Sequence, residues 1–361
     1  MIYDVAIIGA GIAGASLAAA LGAGMRILIL EAEDHPGYHT TGRSNAFWHA
    51  TYGGPRVAPL TLASHAPLTP YLSPRGALTL GRDADSEALR EMEHAYDGTG
   101  IHFEGLDRAA LARLIPGLRP SWSAGLLEPD AFDIDVAALH AACLKTARGQ
   151  GAVLETRARV SSLTRAGGCW TVQTSAGTFQ AAQIVNAAGA WADEIGILAG
   201  ARAPGVQPYR RTIVQLTVDA EVDPALPLII DVSGQFYFKP EGANRIWLSP
   251  HDETPSPACD AAPEELDIAL AIDRFQNVVD WPVRRVERSW AGLRSFAPDR
   301  LPLLGADPDV AGFWWCAGQG GFGIQTAPAA AQLCASLIRN EVLPPWLAGV
   351  DPQAYAPARL I

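Results

Sequence analysis

Three glycines and one carboxylate near the start of the chain, Gly9, Gly11, Gly14 and Glu31, have the types and spacing that hold a dinucleotide. Gly9 permits a tight turn, Gly11 lets the backbone approach a pyrophosphate, and Gly14 lets a helix press on a strand. The first N–H groups of that helix, at Ile12 and Ala13, offer donors and partial positive charge to phosphates. Glu31 lies 20 positions after Gly11, where a carboxylate accepts both hydroxyls of an adenosine ribose, and Ala32 follows it. The same carboxylate would repel the extra phosphate of NADP.

These groups need a strand, a turn, a helix and a second strand to present them. Val5–Ile8 is a short apolar β run, and Ile27–Leu30 is another. Between them Ala13, Ala15, Ser16, Ala18, Ala19 and Ala20 make a helix small enough to sit close to a sheet. The uncharged run from Val5 to Met25 could pass for a signal peptide or membrane span. However, Asp4 precedes it in place of Lys or Arg, and glycines interrupt it.

Further along, helical character is expected at about 55–67, 86–96, 108–114, 133–148, 262–279 and 327–339. Strands are expected at 77–80, 153–160, 170–174, 177–179, 182–190, 212–218, 228–231, 236–239, 246–249 and 313–316. Nucleotide-type elements therefore occur in three pieces, with mixed β segments between them. The predicted fold is α/β: a Rossmann-like dinucleotide-binding domain from 1–76, 134–206 and 293–361, and a mixed-sheet α+β substrate-binding domain from 77–133 and 207–292.

Bulk properties limit the partners. A chain of 361 residues can bury two cores. With 27 basic and 38 acidic residues its formal charge is −11, which disfavours nucleic acid and anionic membrane surfaces. The five cysteines, odd in number and never in C-x-x-C spacing, fit reduced thiols in a cytoplasm. The eight histidines show no H-E-x-x-H motif, so no metal is expected.

Four motifs then carry a resemblance over nearly the whole chain. They are GAGIAG with Glu31, PGYHTTGRSN (36–45), IVNAAGAW (184–191), and the pair WAGLRSFAPDRLPLLG (290–305) and CAGQGGFGIQT (316–326). With them the chain resembles the FAD-dependent amine and D-amino-acid oxidoreductase family, the glycine, sarcosine and D-amino-acid oxidase type. Within it the likeness leans towards D-arginine dehydrogenases, through GYHTTGRS, QPYRR, FYFKP and WAGLRSF.

The resemblance implies non-covalent FAD and oxidation of a D-amino acid by hydride transfer from Cα to flavin N5. The imino acid then hydrolyses to a 2-oxo acid and ammonia. It implies that His39, Thr41, Gly42, Arg43, Ser44 and Asn45 run beside the pyrophosphate and flavin ring. Val160, Ala188, Gly189 and Trp191 would lie near the bound nucleotide. Gly318, Gly320, Gly321, Phe322, Gly323 and Ile324 would bring backbone to the flavin and open a helix whose positive end faces the N1 and C2 carbonyl region. Relatives with a histidine in a similar loop bond flavin covalently, which makes His39 the position for that alternative.

For the substrate, Arg294 would grip the carboxylate and also meet the cofactor, because a guanidinium gives a planar, permanently charged fork. A structural ion pair with Asp299 or Glu287 is the competing reading. Arg211 is the second carboxylate candidate, with Arg210 as its rival in register. Tyr52 and Tyr237 would line the substrate pocket or, alternatively, be ordinary core tyrosines. Gln319 and Gly320 would also touch substrate. His49 would take a proton, unless the amine arrives neutral and no base is needed. Ala77 and Phe47 stand where the D-arginine type has an acid and a histidine, so with Leu228, Ile230 and Trp48 the pocket is expected to be apolar. Secondary amines, imino acids such as sarcosine or proline, and D-2-hydroxy acids remain alternative substrates. The electron acceptor and oligomeric state stay open in the sequence.

Overall fold

The computed structural model describes residues 1–45 and 47–360. Its central parallel sheet runs in the order Val153–Glu155, Ile27–Leu30, Ile2–Ile8, Gly177–Asn186 and Phe313–Ala317. Val5–Ile8 and Ile27–Leu30 are buried along their whole length, as strands covered on both faces must be. Helix Ile12–Leu21 packs on this sheet with Ala327–Arg339 and Val136–Gly149. The strand order reverses at Ile2–Ile8, so a crevice opens beyond the carboxyl ends of the strands, where Gly9 and Ala187 lie. Leu303–Ala306 adds an antiparallel edge beside Phe313–Ala317.

The expected single strand over 153–160 is in fact two. Val153–Glu155 pairs with Ile27–Leu30, whereas Val160–Ala166 opens an antiparallel meander with Cys169–Thr174. The link turns at Arg157, whose φ is 53°, while Ala158 donates its N–H to the Glu31 carbonyl. Conversely, the two runs expected at 177–179 and 182–190 form one strand, Gly177–Asn186, that serves the meander first and the parallel sheet afterwards.

A second sheet of nine strands is mixed. Val283–Phe296 and Gln207–Val218 pair along nearly their full lengths, with short Thr254–Pro255 also on Gln207–Val218, followed by Arg245–Ser249, Tyr237–Pro240, Leu228–Asp231, Ala77–Gly81, Ala124–Glu128 and Glu104–Asp107. Only the pairing of Leu228–Asp231 with Ala77–Gly81 is parallel among the described strands. On Gln207–Val218, Val214 and Leu216 face a core built with Phe238, Leu248 and helix Glu265–Gln276. The alternate residues Arg211 and Ile213 point to the opposite face. A small third sheet joins Phe47–Trp48, Phe132–Ile134 and Leu72–Pro74.

Candidate active site

Close packing shapes the cradle. A Cβ on Gly9, where φ is +107°, would lie 2.4 Å from the Ala187 carbonyl oxygen, and one on Gly14 would lie 1.9 Å from that of Gly9. Only glycine allows turn, helix and strand to meet there. Glu31 fixes the cradle's far side, accepting the Ala10 N–H at 3.0 Å and the Glu33 N–H at 3.0 Å. Thr41 Oγ1 accepts the Ile12 N–H at 3.0 Å and so ties the polar loop to the helix start. His140, which the sequence reading missed, donates to the Ala10 carbonyl at 2.8 Å.

An elongated cavity of about 350 Å³ follows this cradle and continues to the larger sheet. Gly9, Gly11, Ile12, Ala13, Glu31, Ala32, His39, Thr41, Arg43, Ser44, Asn45, Val160, Ala188, Gly189 and Trp191 line it. Arg211, Arg294, Gly318, Gln319, Gly320, Gly321, Gly323 and Ile324 complete the wall. Gly14, Gly42 and Phe322 lie behind it. Gly14 sets helix packing, Gly42 donates its N–H to the Gly37 carbonyl at 2.8 Å, and Phe322 is buried against Phe296 and Tyr52.

Several candidates differ in place from expectation. The glycine segment does not itself open a helix. Gly318 and Gly320 have φ of 70° and 53°, so 318–326 is a run of turns and the helix starts at Ala327. Arg43 lines the cavity, but its guanidinium donates to the Ala261 and Ala291 carbonyls and pairs with Asp260, fastening the loop to the larger sheet. Trp48 leaves the pocket. On a strand, successive residues face opposite ways, so Phe47 meets Tyr52 and Tyr237 while Trp48 packs on His65 and Phe132.

The arginine pair follows from strand register. Tyr209 lies opposite Arg294 and Arg211 opposite Gly292, which puts both guanidinium groups on one face as diagonal neighbours. Arg210 faces the other way, to Glu264 and Asp267, so the cavity receives Arg211. Arg294 donates to Tyr52 Oη at 2.6 Å and to Tyr237 Oη at 3.2 Å. Neither tyrosine lines the cavity; they hold the guanidinium that does. Asp299 pairs with Arg359 and Glu287 with Arg285, so neither carries the structural ion pair that competed for Arg294.

Arg211 is only 3% exposed. Its Nε donates to the Asp252 carbonyl at 2.6 Å and its Nη2 to Glu253 Oε1 at 3.1 Å, while Nη1 has no partner among the described residues. Burial, and then the neighbouring Arg294 charge, pull the Arg211 pKa down. Burial opposes the charge of Arg294 too, but the facing Tyr52 and Tyr237 oxygens with Glu253 and Asp252 raise its pKa. His251 packs edge-on against Tyr237, and burial together with both arginines pushes its pKa to about 3. His251, Asp252 and Glu253 went unnoticed in sequence because they sit in an aperiodic loop.

His49 is outside the cavity. Its Nε2 lies 3.0 Å from Glu128 Oε2 and 2.9 Å from Thr51 Oγ1, and the residue is buried. This placement leaves it no path to a substrate proton. Gln319 does line the cavity, and its amide reaches Cys316 Sγ at 3.6 Å.

The profile of the DAO family, FAD dependent oxidoreductase, matches residues 4–337, and the chain belongs to that family. Glycine oxidase of Geobacillus kaustophilus is 25% identical over 370 residues, covering 94% of this chain and 93% of that protein. Mitochondrial dimethylglycine dehydrogenase of Mus musculus is 28% identical over 264 residues, 64% of this chain, which spans 29% of that longer protein. The crystal structure of the Geobacillus glycine oxidase superposes with a TM-score of 0.85 at 23% identity, covering 99% of each chain. L-alpha-glycerophosphate oxidase from Mycoplasma pneumoniae, solved with FAD bound, gives 0.86 at 18% identity, covering 97% of this chain and 98% of that one. These likenesses show the fold, a Rossmann-like FAD domain joined to a substrate domain.

FAD is the cofactor, and the residues present fit it. The cavity is long enough to run from the ribose carboxylate Glu31 to the arginines. The buried Asn45 amide and Ser295 hydroxyl on its wall have no partner among the described residues, so both are ready to bond a polar ring system.

Proposed function

We propose that the protein oxidises a D-amino acid with a neutral or apolar side chain to its imino acid, which water converts to a 2-oxo acid and ammonia. One observation carries this reading: the buried Arg211 and the half-buried Arg294 share one sheet face at the end of the FAD cavity, where Ile213 joins the cavity wall to an apolar cluster of Ala77, Leu228, Ile230 and Phe47 behind it. FAD, when bound, supplies the acceptor for the hydride leaving Cα. Glu31, the Ala13 N–H, Asn45 and the glycines 318–323 would hold it.

Arg294 grips the substrate carboxylate. Its two tyrosine bonds leave further N–H donors on the planar fork, and the tyrosine rings keep water away from it. Arg211 adds its unpartnered Nη1 to the same anion. Glu253, shared with Arg300 at 2.8 Å, keeps Arg211 from swinging away. A desolvated site favours the neutral amine, so no side chain is needed as base. Non-covalent FAD accords with His39, whose Nε2 already faces Glu33 Oε1 at 3.1 Å and whose ring packs on Trp191. Five free thiols in scattered positions support a cytoplasmic setting.

A second reading, oxidation of a secondary amine, is favoured by relatives named dimethylglycine dehydrogenase and, among solved structures, iminodiacetate oxidase from Chelativorans sp. BNC1. An anaerobic panel scored by bleaching of the yellow flavin separates the two. Neutral D-amino acids are expected to bleach it fastest, and bleaching only by N-alkyl glycines or 2-hydroxy acids overturns the primary reading.

A further inference from the structure

The turn that carries Tyr52 is held by buried side chains from two distant elements. Glu128, at the end of strand Ala124–Glu128, is 2% exposed, and Gln325, just before the last long helix, is 1% exposed. Glu128 Oε1 accepts the Ala50 N–H at 2.9 Å, and Oε2 accepts the Thr51 hydroxyl at 2.9 Å and faces His49 Nε2 at 3.0 Å. Gln325 Oε1 accepts the His49 N–H at 3.2 Å, and its Nε2 reaches the Tyr52 carbonyl at 3.1 Å. Tyr96 Oη donates to the Thr51 carbonyl at 2.7 Å. Locally the turn has little of its own beyond the Tyr52 N–H to the His49 carbonyl at 3.0 Å and the Gly54 N–H to Thr51 at 3.2 Å.

We propose that Glu128 and Gln325 are positioning residues that clamp the 49–52 turn and thereby set the Tyr52 hydroxyl on Arg294. His49, whose Nε2 lies 3.0 Å from Glu128 Oε2, is then one of the contacts that hold Glu128 in place. This rests on the reading of Arg294 as a carboxylate grip. The physical reason is register. The Tyr52 oxygen meets Arg294 at 2.6 Å and sits where a Cβ on Gly321 would lie only 2.1 Å from it. There is no slack for a turn displaced by even part of an ångström. A buried carboxylate with three partners resists such displacement, because any partner released stays unsatisfied.

Coupling tests it. In the FAD-loaded enzyme, benzoate, an unreactive carboxylate, is titrated by the change in flavin absorbance. Glu128→Gln is expected to weaken benzoate about ten-fold, the effect of about one lost hydrogen bond. In a Tyr52→Phe background the same substitution is expected to cost less than about two-fold, because the hydroxyl it positions is gone. Thr51→Val, which removes one Glu128 contact, gives the same pattern more weakly and serves if Glu128→Gln fails to retain FAD. Equal effects in both backgrounds overturn the proposal. Failure of the wild-type enzyme to bind benzoate overturns the carboxylate reading itself, and this one with it.

Discussion

The cofactor cradle and the arginine face are built on opposite plans. The cradle depends on what is missing: side chains at Gly9 and Gly14 would drive into backbone. Near the pyrophosphate its working groups, apart from Glu31, are main-chain N–H. The arginine face depends on side chains brought from positions 52, 211, 237, 253 and 294, each held by a hydrogen bond to another. Backbone that must touch backbone tolerates almost no substitution. A polar network degrades stepwise, according to which donor is lost.

That contrast can be broken by mutation. The largest effect is expected for Gly14→Val, whose branched side chain must displace the Gly9 carbonyl; the purified protein should be nearly colourless in visible absorbance. Retention of full yellow colour would mean that the cradle yields after all. Next, Arg294→Met should keep FAD but lower the second-order rate of anaerobic flavin bleaching by roughly a hundred- to a thousand-fold, as expected for losing a buried charged partner. Arg211→Met should do less and Arg210→Met almost nothing, since Arg210 faces Glu264 and Asp267. Similar losses from both neighbours would contradict the strand register.

The smallest effect concerns stability. His251 ionises at 6.5 in the unfolded chain and at about 3 when folded. Between those values the unfolded state alone binds the proton. The stability tied to a neutral His251 is therefore complete above pH 6.5 and is lost progressively as pH falls towards 3. His251→Asn, which tolerates the φ of 54° there, should flatten that slope in urea midpoints by up to one proton. An unchanged slope would remove His251 from the account.

The cradle was legible because its chemistry is local: glycine spacing, small residues and a terminal acid encode a backbone shape within 28 residues, 4–31. Most strands of the larger sheet could also be read. The choice between Arg210 and Arg211 could not, since neighbouring residues on a strand take opposite faces and only pairing with Val283–Phe296 decides which faces inward. That strand was itself unseen, its WAGLRSF end being read as a motif and not as a strand. Its outer half is charged and exposed, and it folds as a strand only because a partner lies alongside. Glu128 and Gln325 carry no local signal, for their partners Ala50 and His49 are 78 and 276 positions away in sequence.

Val283–Phe296 is one unbroken strand, a rung of the larger sheet at its start and a wall of the FAD cavity at its end. It acts as a beam shared by the larger sheet and the cavity wall, and it carries Arg294 on a paired strand instead of a free loop. With Arg294 as the proposed carboxylate grip, new substrate preferences are expected to arise by exchanging individual residues around it.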